Sequence, residues 1–467
     1  MPRRDLSPEE GRALAAIVGE THVLAAADDV APYAKDWTRD LVAAPSVVAR
    51  PRTTEEVSRL LAFCNARAIP VTPQGGRTGL SGGALAVSGG LGLSLERMTS
   101  ILEIDADNFV AVAEAGVVTQ TLQEAVEEKG LYYPPDPASR GSCTIGGNVA
   151  ENAGGPHAAK YGVTGRWVLG LTAVFADGSV AETGGKTRKD VAGYDLTALL
   201  VGSEGTLAVV TKAWLRLIAK PAVQATVLAP FPSLEDAARA VFEIHRRGLV
   251  PSACEIVDRP TVEVSSRKKG VSVPFPGAEA RILLDFDGPT GEEVEREATA
   301  AGEALLDCGA LDVALAADEP RRRALWEVRR GAAEAILELG VSFELDLAVP
   351  RSELAPLVAG VRRLAEEAHL RAFAYGHAAD GNLHVRLLRE GAAEADPLAF
   401  EAVVARIYGE AVRLGGTITG EHGVGLTLRD LLPMRRPPAF VAAMRAVKAA
   451  LDPKGILNPG KMLPAAG

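Results

Sequence analysis

SCTIGGNVAENAGG, residues 142 to 155, holds four glycines and two asparagines in fourteen positions. So few bulky side chains cannot fill a core, whereas Gly and Ala let backbone close on a planar ring. Asn148 and Asn152 can hydrogen-bond amide and ring edges, and Ser142 and Thr144 can reach phosphate oxygens. Taken singly, either asparagine would serve equally well to stabilise a turn. The surrounding stretch from Pro134 to Gly155 lacks the charge runs and repeats of a disordered linker, which favours a shaped binding surface.

Two further clusters flank this one. Upstream, QGGRTGLSGG at 74 to 83 has the composition to bring successive backbone N–H groups to a phosphate. Downstream, GSEGTL at 202 to 207 repeats the texture. Three such loops in one domain point to a long, extended ligand. None has the G-x-G-x-x-G spacing of a Rossmann dinucleotide site. Gly185-Lys186-Thr187 is not the end of a P-loop either, because Val180 occupies the position of the required glycine.

Around the loops, PRTTEEVSRLLAFCNAR from Pro51 predicts a helix, with Thr53 and Glu56 as a capping box and Val57, Leu60, Leu61 and Cys64 on one face. A strand near Ile69 to Val71 opens into the first loop. Thr119 to Lys129 reads as a second helix closed by Gly130, and Val168 to Leu217 as strand-like runs with glycine turns. Beyond Lys220-Pro221, helical Ala/Glu/Arg segments alternate with strands such as ARILLDF and RAFAYGH. The fold class expected is α+β, divided as an N-terminal helical segment (1–40), a ligand-binding domain (41–219), a second domain (220–425) and a C-terminal segment returning to the first domain (426–467).

The chain has 467 residues, a length for two or three domains, with 47% hydrophobic and 24% charged residues and a net charge of −10. That charge disfavours nucleic acid, which needs clustered cations. Its four cysteines show no C-x-x-C spacing, so neither a zinc ribbon nor a disulfide framework is indicated. The apolar stretch from Ala13 to Val18 is too short for a signal-peptide core or a membrane span. A cytoplasmic protein is expected, with docking at a membrane through a partner left open.

Of seven histidines, three stand in glycine-flanked motifs of the second half. His377 and His384 would face opposite sides of a continuous strand, but Asp380-Gly381-Asn382 signals a hairpin that would bring both imidazoles to its mouth. Glu421 and His422 sit in GEHGVG. Two imidazoles and a carboxylate suit Zn²⁺, Mn²⁺ or Fe²⁺ with positions open for a substrate. A metal hydrolase would use the same set, although it leaves the glycine clusters unexplained. A non-catalytic flavoprotein subunit relaying electrons would not need the histidines.

PPDPAS, CTIGGNVAENAGGPHAAKYGV, KDVAGYDLTALLVGSEGTL, GHAADGNLH, GEHGVG and LDPKGILNPGKM, in this order over nearly the whole chain, resemble the FAD-linked 2-hydroxy-acid dehydrogenases of the vanillyl-alcohol oxidase type. Relatives there include the flavin subunit of glycolate oxidase, D-lactate dehydrogenase and D-2-hydroxyglutarate dehydrogenase. The resemblance implies a PCMH-type FAD-binding domain followed by a ferredoxin-like α+β substrate (cap) domain. It implies that Gly75, Gly76, Arg77, Thr78, Gly79, Leu80, Ser81 and Gly82 hold the FAD pyrophosphate. The later clusters would line the rest of the cofactor, through Pro135, Asp136, Ser142, Thr144, Gly146, Gly147, Asn148, Ala150, Asn152, Gly154, Glu204, Gly205, Val209 and Asn458. With Gln74 and no histidine in the first loop, FAD is expected to be non-covalent; His157 and Cys143 are the other groups that could have attached it.

The resemblance further implies His377, His384 and Glu421 as ligands of a divalent metal, His422 as catalytic base and Arg329 as the partner of the substrate carboxylate. The flavin would take the hydride from the α-carbon, and the metal would ease loss of the hydroxyl proton. D-2-hydroxyglutarate enzymes have lysine where this chain has Glu344, and asparagine where it has Arg386. Glu344 would repel a second carboxylate, favouring D-lactate or glycolate, while Arg386 would either restore an anion site or pair with Glu344. Arg330 is expected at the surface. The electron acceptor is left among a quinone, a cytochrome, an electron-transfer flavoprotein and an iron–sulfur subunit, and a homodimer is left open.

Overall fold

A computed structural model describes residues 3–38, 41–316, 318–389 and 396–465. The chain forms two compact units, one of Met1–Gly154, Val163–Lys220 and Glu421–Gly467, the other of Gly155–Gly162 and Pro221–Gly420.

In the first unit, β1 (Val23–Leu24), β2 (Val47–Ala49), β3 (Val71–Gln74) and β4 (Leu91–Ser94) form a sheet in the order β1-β2-β4-β3. β2 and β3 run parallel to β4. A second, antiparallel sheet contains β5 (Ile101–Asp105), β6 (Val110–Glu114), β8 (Val168–Val174), β9 (Val180–Glu182) and β10 (Val209–Arg216), in the order β5-β6-β10-β8-β9. β7 (Leu131–Tyr132) and β11 (Ile218–Ala219) make a separate pair. The helix expected after Pro51 spans Thr54–Arg67 and buries Val57, Leu60, Leu61 and Cys64. Each large aliphatic side chain so buried contributes roughly 2 kcal/mol. Thr53 caps it by accepting from Glu56 N–H at 3.2 Å. The reciprocal half of the box is shifted by one residue, since the Glu56 carboxylate accepts from Arg52 N–H at 2.6 Å.

Leu14 and Val18 of the N-terminal helix Pro8–Val18 share this core with Ile456 and Leu457 of the closing segment. The N-terminal segment is therefore a layer of the unit, because its amphipathic face has no other core to join. The tail is tied in by backbone: Val71 N–H donates to Ile456 O and Asn458 N–H to Val71 O, each at 2.8 Å.

The second unit is built on one antiparallel sheet of seven strands: β12 (Val223–Phe231), β13 (Ala253–Asp258), β14 (Ala280–Gly288), β15 (Ala314–Ala316), β16 (Ser342–Ala348), β17 (Arg371–His377) and β18 (Asn382–Leu388). Their order is β15-β12-β14-β13-β17-β18-β16. Val257, Phe373, Tyr375 and Leu388 project from one face against Val262, Val328, Ala332 and Ile336 of the helices Arg259–Lys269, Glu319–Arg330 and Ala332–Leu337. Residues 155–162 belong to this unit because Lys160 pairs with the buried Asp287 and Tyr161 Oη donates to the same carboxylate at 2.8 Å.

Asp258 caps the helix Arg259–Lys269, accepting from Thr261 N–H at 2.9 Å and Ala374 N–H at 2.8 Å. Burial pushes its carboxyl up to about 6 despite these bonds. The folded state therefore binds this proton more tightly than the unfolded chain, so the contribution of Asp258 to stability falls as pH rises from about 4 to about 6. The loss is on the order of 3 kcal/mol for a shift of this size. Urea unfolding across that window should show a shallower dependence in Asp258→Asn than in wild type; equal slopes would remove Asp258 as the source.

Candidate functional site

The first unit carries the three glycine clusters. From Gly76 to Gly83 no backbone N–H donates to a protein acceptor among the described residues. Arg77 takes a positive φ of 55° within this run. Eight consecutive N–H positions lacking a partner are the kind of surface that phosphate oxygens satisfy. Thr144 starts the second cluster as N-cap of the helix Ile145–Glu151, with Gly147 N–H directed at its hydroxyl at 3.4 Å. Gly146 lies so close to Ala115 that a Cβ on it would stand 2.7 Å from the alanine Cβ. These features fit a phosphate-bearing, planar cofactor such as FAD.

Several side chains expected to bind cofactor are committed to the protein. Asn148 Nδ2 donates to Thr119 Oγ1 at 2.6 Å, and Asn152 Oδ1 accepts from Gly165 N–H at 2.8 Å. Asn458 Nδ2 donates to Gly83 O at 3.0 Å and Glu204 O at 2.8 Å. The Asp136 carboxylate pairs with Arg140 at 3.2 Å, the Ser142 hydroxyl donates to Ser139 O at 3.2 Å and Val209 pairs with Val174 in the sheet. Asn148, Asn152 and Asn458 thus hold loops together around the glycine clusters. Cys143 is buried beside Thr119, and burial raises its thiol above the ordinary range. That environment is unsuited to a nucleophilic attachment point.

The same unit carries Glu421 and His422. Glu421 lies against the second cluster, where a Cβ on Gly154 would stand 2.6 Å from its Oε2.

In the second unit, strand register assembles a polar row on one face of the sheet. Glu255 of β13 is opposite His377 of β17. Tyr375 of β17 is opposite His384 of β18, and His384 is opposite Asp346 of β16. Directly opposed residues share a face. The two imidazole centroids lie 5.3 Å apart, as the hairpin reading requires. The link between the strands is the short turn Ala378–Asp380 followed by Gly381 at φ +78°. A side chain on Gly381 would also collide with Val349 O.

Each histidine has a carboxylate at Nδ1. Glu255, fully buried, lies 2.7 Å from His377 Nδ1. Asp346 lies 3.6 Å from His384 Nδ1 and accepts from Asn382 Nδ2 at 2.7 Å, Thr419 Oγ1 at 2.8 Å and Gly420 N–H at 2.8 Å. At hydrogen-bond distance from His377 Nδ1, Glu255 selects Nε2 as the lone-pair nitrogen of that ring, the usual support of a metal-bound imidazole, whereas Asp346 at 3.6 Å is a charged neighbour of His384. The donor chemistry therefore fits a divalent metal with His377 and His384 as two of its ligands. Gly420 is bound to Asp346, and Glu421 is the next residue of the chain.

Arg329 is buried above this face, paired with Glu255 and lying 5.0 Å over the Tyr375 ring. Burial pushes the Glu255 carboxyl up, but Arg329 and His377 together hold it below the ordinary glutamate value. Arg386 pairs with Glu344, and Tyr375 joins them, its hydroxyl 3.1 Å from Arg386 Nε and 3.0 Å from Glu344 Oε1. Arg330 departs from expectation. It is half-buried, with its guanidinium 5.4 Å over the Trp326 ring, because the apolar face of its helix extends to the last turn.

Glu255, Asp346 and Tyr375 stand outside the motifs that mark the histidines. A signal for Glu255 exists in ACEIVD, where an acid stands amid apolar strand residues; a buried charge there demands a partner. Nothing local marks Asp346, whose role depends on β16 pairing with β18.

The chain matches two family models, the FAD binding domain over residues 45–184 and the FAD linked oxidases, C-terminal domain, over residues 220–462. It is 43% identical over 432 residues to the glycolate oxidase subunit GlcD of Bacillus subtilis, covering 92% of this chain and 91% of that one. To a D-lactate dehydrogenase of Archaeoglobus fulgidus it is 40% identical over 439 residues, covering 92% and 95%. In fold it is similar to the 4-ethylphenol oxidase of Gulosibacter chungangensis, solved as an isoeugenol complex, with a TM-score of 0.79, 19% identity and 99% of each chain covered.

Proposed function

Because this chain belongs to the FAD-linked oxidase family, we propose that it oxidises a small D-2-hydroxy acid to the 2-oxo acid, acting on D-lactate or glycolate in preference to D-2-hydroxyglutarate. Bound FAD supplies the hydride acceptor, and a bound Zn²⁺, Mn²⁺ or Fe²⁺ supplies the Lewis acid that acidifies the substrate hydroxyl. His377, His384 and Glu421 are the residues that would hold the metal. His422 takes the hydroxyl proton. Arg329 binds the substrate carboxylate, with Glu255 fixing the guanidinium. An external acceptor must then reoxidise the flavin, and the compartment proposed is the cytoplasm. Consistent with that, the four cysteines are unpaired, and no helix among the described residues is long and apolar enough to cross a membrane.

The preference for a monocarboxylate rests on the Glu344–Arg386 pair. Arg386 is buried and its charge is already matched by Glu344, with Tyr375 bonded to both. A second substrate carboxylate would have to displace Glu344 or face it across a dry site, at a cost of several kcal/mol for an unmatched charge.

Anaerobic addition of each acid to the FAD-replete protein, followed at the oxidised flavin band, tests the reading. Bleaching by D-lactate or glycolate is expected at rates at least tenfold above D-2-hydroxyglutarate. Glu344→Gln, which releases Arg386, should narrow that ratio toward one. Faster bleaching by D-2-hydroxyglutarate would overturn the monocarboxylate reading; no bleaching by any 2-hydroxy acid would overturn the activity.

A further inference from the structure

Glu204 makes its strongest contacts with a segment 220 residues further along the chain. Its carboxylate is buried and accepts from Val424 N–H and Gly425 N–H, both at 2.7 Å. The next two amides, Leu426 and Thr427, donate to Ser81 O at 2.7 and 3.2 Å. Residues 424 to 427 are thereby held on both sides. Gly425 has φ +49°, and a Cβ there would collide with Ser81 O; one on Gly423 would run into the carboxylates of Glu151 and Glu204.

Glu204 is itself held in an unusual conformation. Its φ is +52°, in the left-handed region that a non-glycine residue rarely adopts. Its N–H donates to Ala150 O at 2.8 Å, and its carbonyl accepts from Asn458 Nδ2 at 2.8 Å. Burial costs this carboxylate more than it costs an exposed one, and the two amides of the 424–425 segment offset part of that cost. Such an arrangement persists when the surrounding structure requires it.

We propose that Glu204 is the positioning residue for His422: by fixing the backbone of Val424 and Gly425 it sets the direction in which the imidazole two residues earlier points. This rests on the reading of His422 as the base. Charge-assisted bonds to two adjacent amides leave the segment little freedom. A displacement of about 1 Å at a proton-transfer group lowers a rate by about 10²-fold. Glutamine has only one acceptor oxygen; its NH₂ would confront the second N–H and the segment would have to move. Aspartate keeps both oxygens on a shorter stem.

The test uses the full-length, FAD-replete protein with D-lactate or glycolate, whichever bleaches it. Glu204→Gln is expected to keep its flavin spectrum and a KM within about threefold of wild type, with flavin reduction slowed about 10²-fold. Glu204→Asp should recover part of the loss. Wild-type reduction in Glu204→Gln, while His422→Ala is inactive, would overturn the proposal and leave the base intact; loss of FAD would make Glu204 a cofactor residue instead. Wild-type reduction in His422→Ala would remove the base and the proposal together. Should the variants fail to fold, hydrogen exchange of the wild-type protein decides: slow exchange of the Val424 and Gly425 amides is expected, and fast exchange refutes the clamp.

Discussion

His422→Ala is expected to bind FAD normally and to lose substrate-driven flavin reduction by about 10²- to 10⁴-fold, the usual range for removal of a positioned general base. Cofactor retention is expected because the amides offered to a phosphate, Gly76 to Gly83, are backbone groups of a loop whose sequence the substitution leaves unchanged. The rate loss is expected because oxidation of the α-carbon requires the hydroxyl proton to leave, and an imidazole is the side chain suited to accept it as a general base. Anaerobic stopped-flow absorbance measures both quantities in one experiment. Added imidazole should restore part of the lost rate. A variant that reduces its flavin at the wild-type rate would eliminate His422 as base.

Glu255→Ala should be the most destabilising of the substitutions considered, by about 3–5 kcal/mol, the range for removing one partner of a buried ion pair. Glu255 is 0% exposed and is the partner of both Arg329 and His377. Alanine leaves the Arg329 guanidinium buried without its countercharge. Because Arg329 and His377 hold the carboxyl below its ordinary value, the stabilisation is present at neutral pH and is lost only as pH falls through that lowered value. The second effect is functional. Without its Nδ1 partner His377 is no longer fixed in orientation, and metal affinity should fall by about 10–100-fold. Urea unfolding and metal titration of the purified protein report the two effects separately. Glu255→Gln, which preserves shape but offers a single acceptor oxygen, should be less destabilised while still losing metal affinity. Wild-type stability in Glu255→Ala would show that Arg329 finds another partner, and undiminished metal affinity would remove the orienting role.

The helix at Thr54–Arg67 was legible because its cap and its Val57, Leu60, Leu61, Cys64 face are encoded within fifteen residues. The β17–β18 hairpin was legible for a similar reason: Asp380-Gly381-Asn382 is a local turn signal, and once the turn is fixed, His377 and His384 must share a face. The glycine clusters announced an extended ligand through composition, and the match of both halves to FAD-linked oxidase models agrees with it. The resemblance to D-2-hydroxyglutarate enzymes, with lysine and asparagine at the matching positions, pointed to Glu344 and Arg386, while leaving their relationship undecided.

That relationship depended on register. Glu344 and Arg386 are 42 positions apart and become directly opposed only when β16 pairs with β18; the same pairing sets Asp346 against His384. Glu255 reaches His377 across a separation of 122, through strand neighbours that no local pattern specifies. Asn152, Asn458 and Glu204 join loops that are distant in the sequence, which their side-chain types alone did not indicate. Turns and amphipathic faces could be read along the chain because they follow from interactions between near neighbours. Which buried charges meet was settled by strand pairing, because desolvation makes each of them depend on a partner brought in from a distant strand.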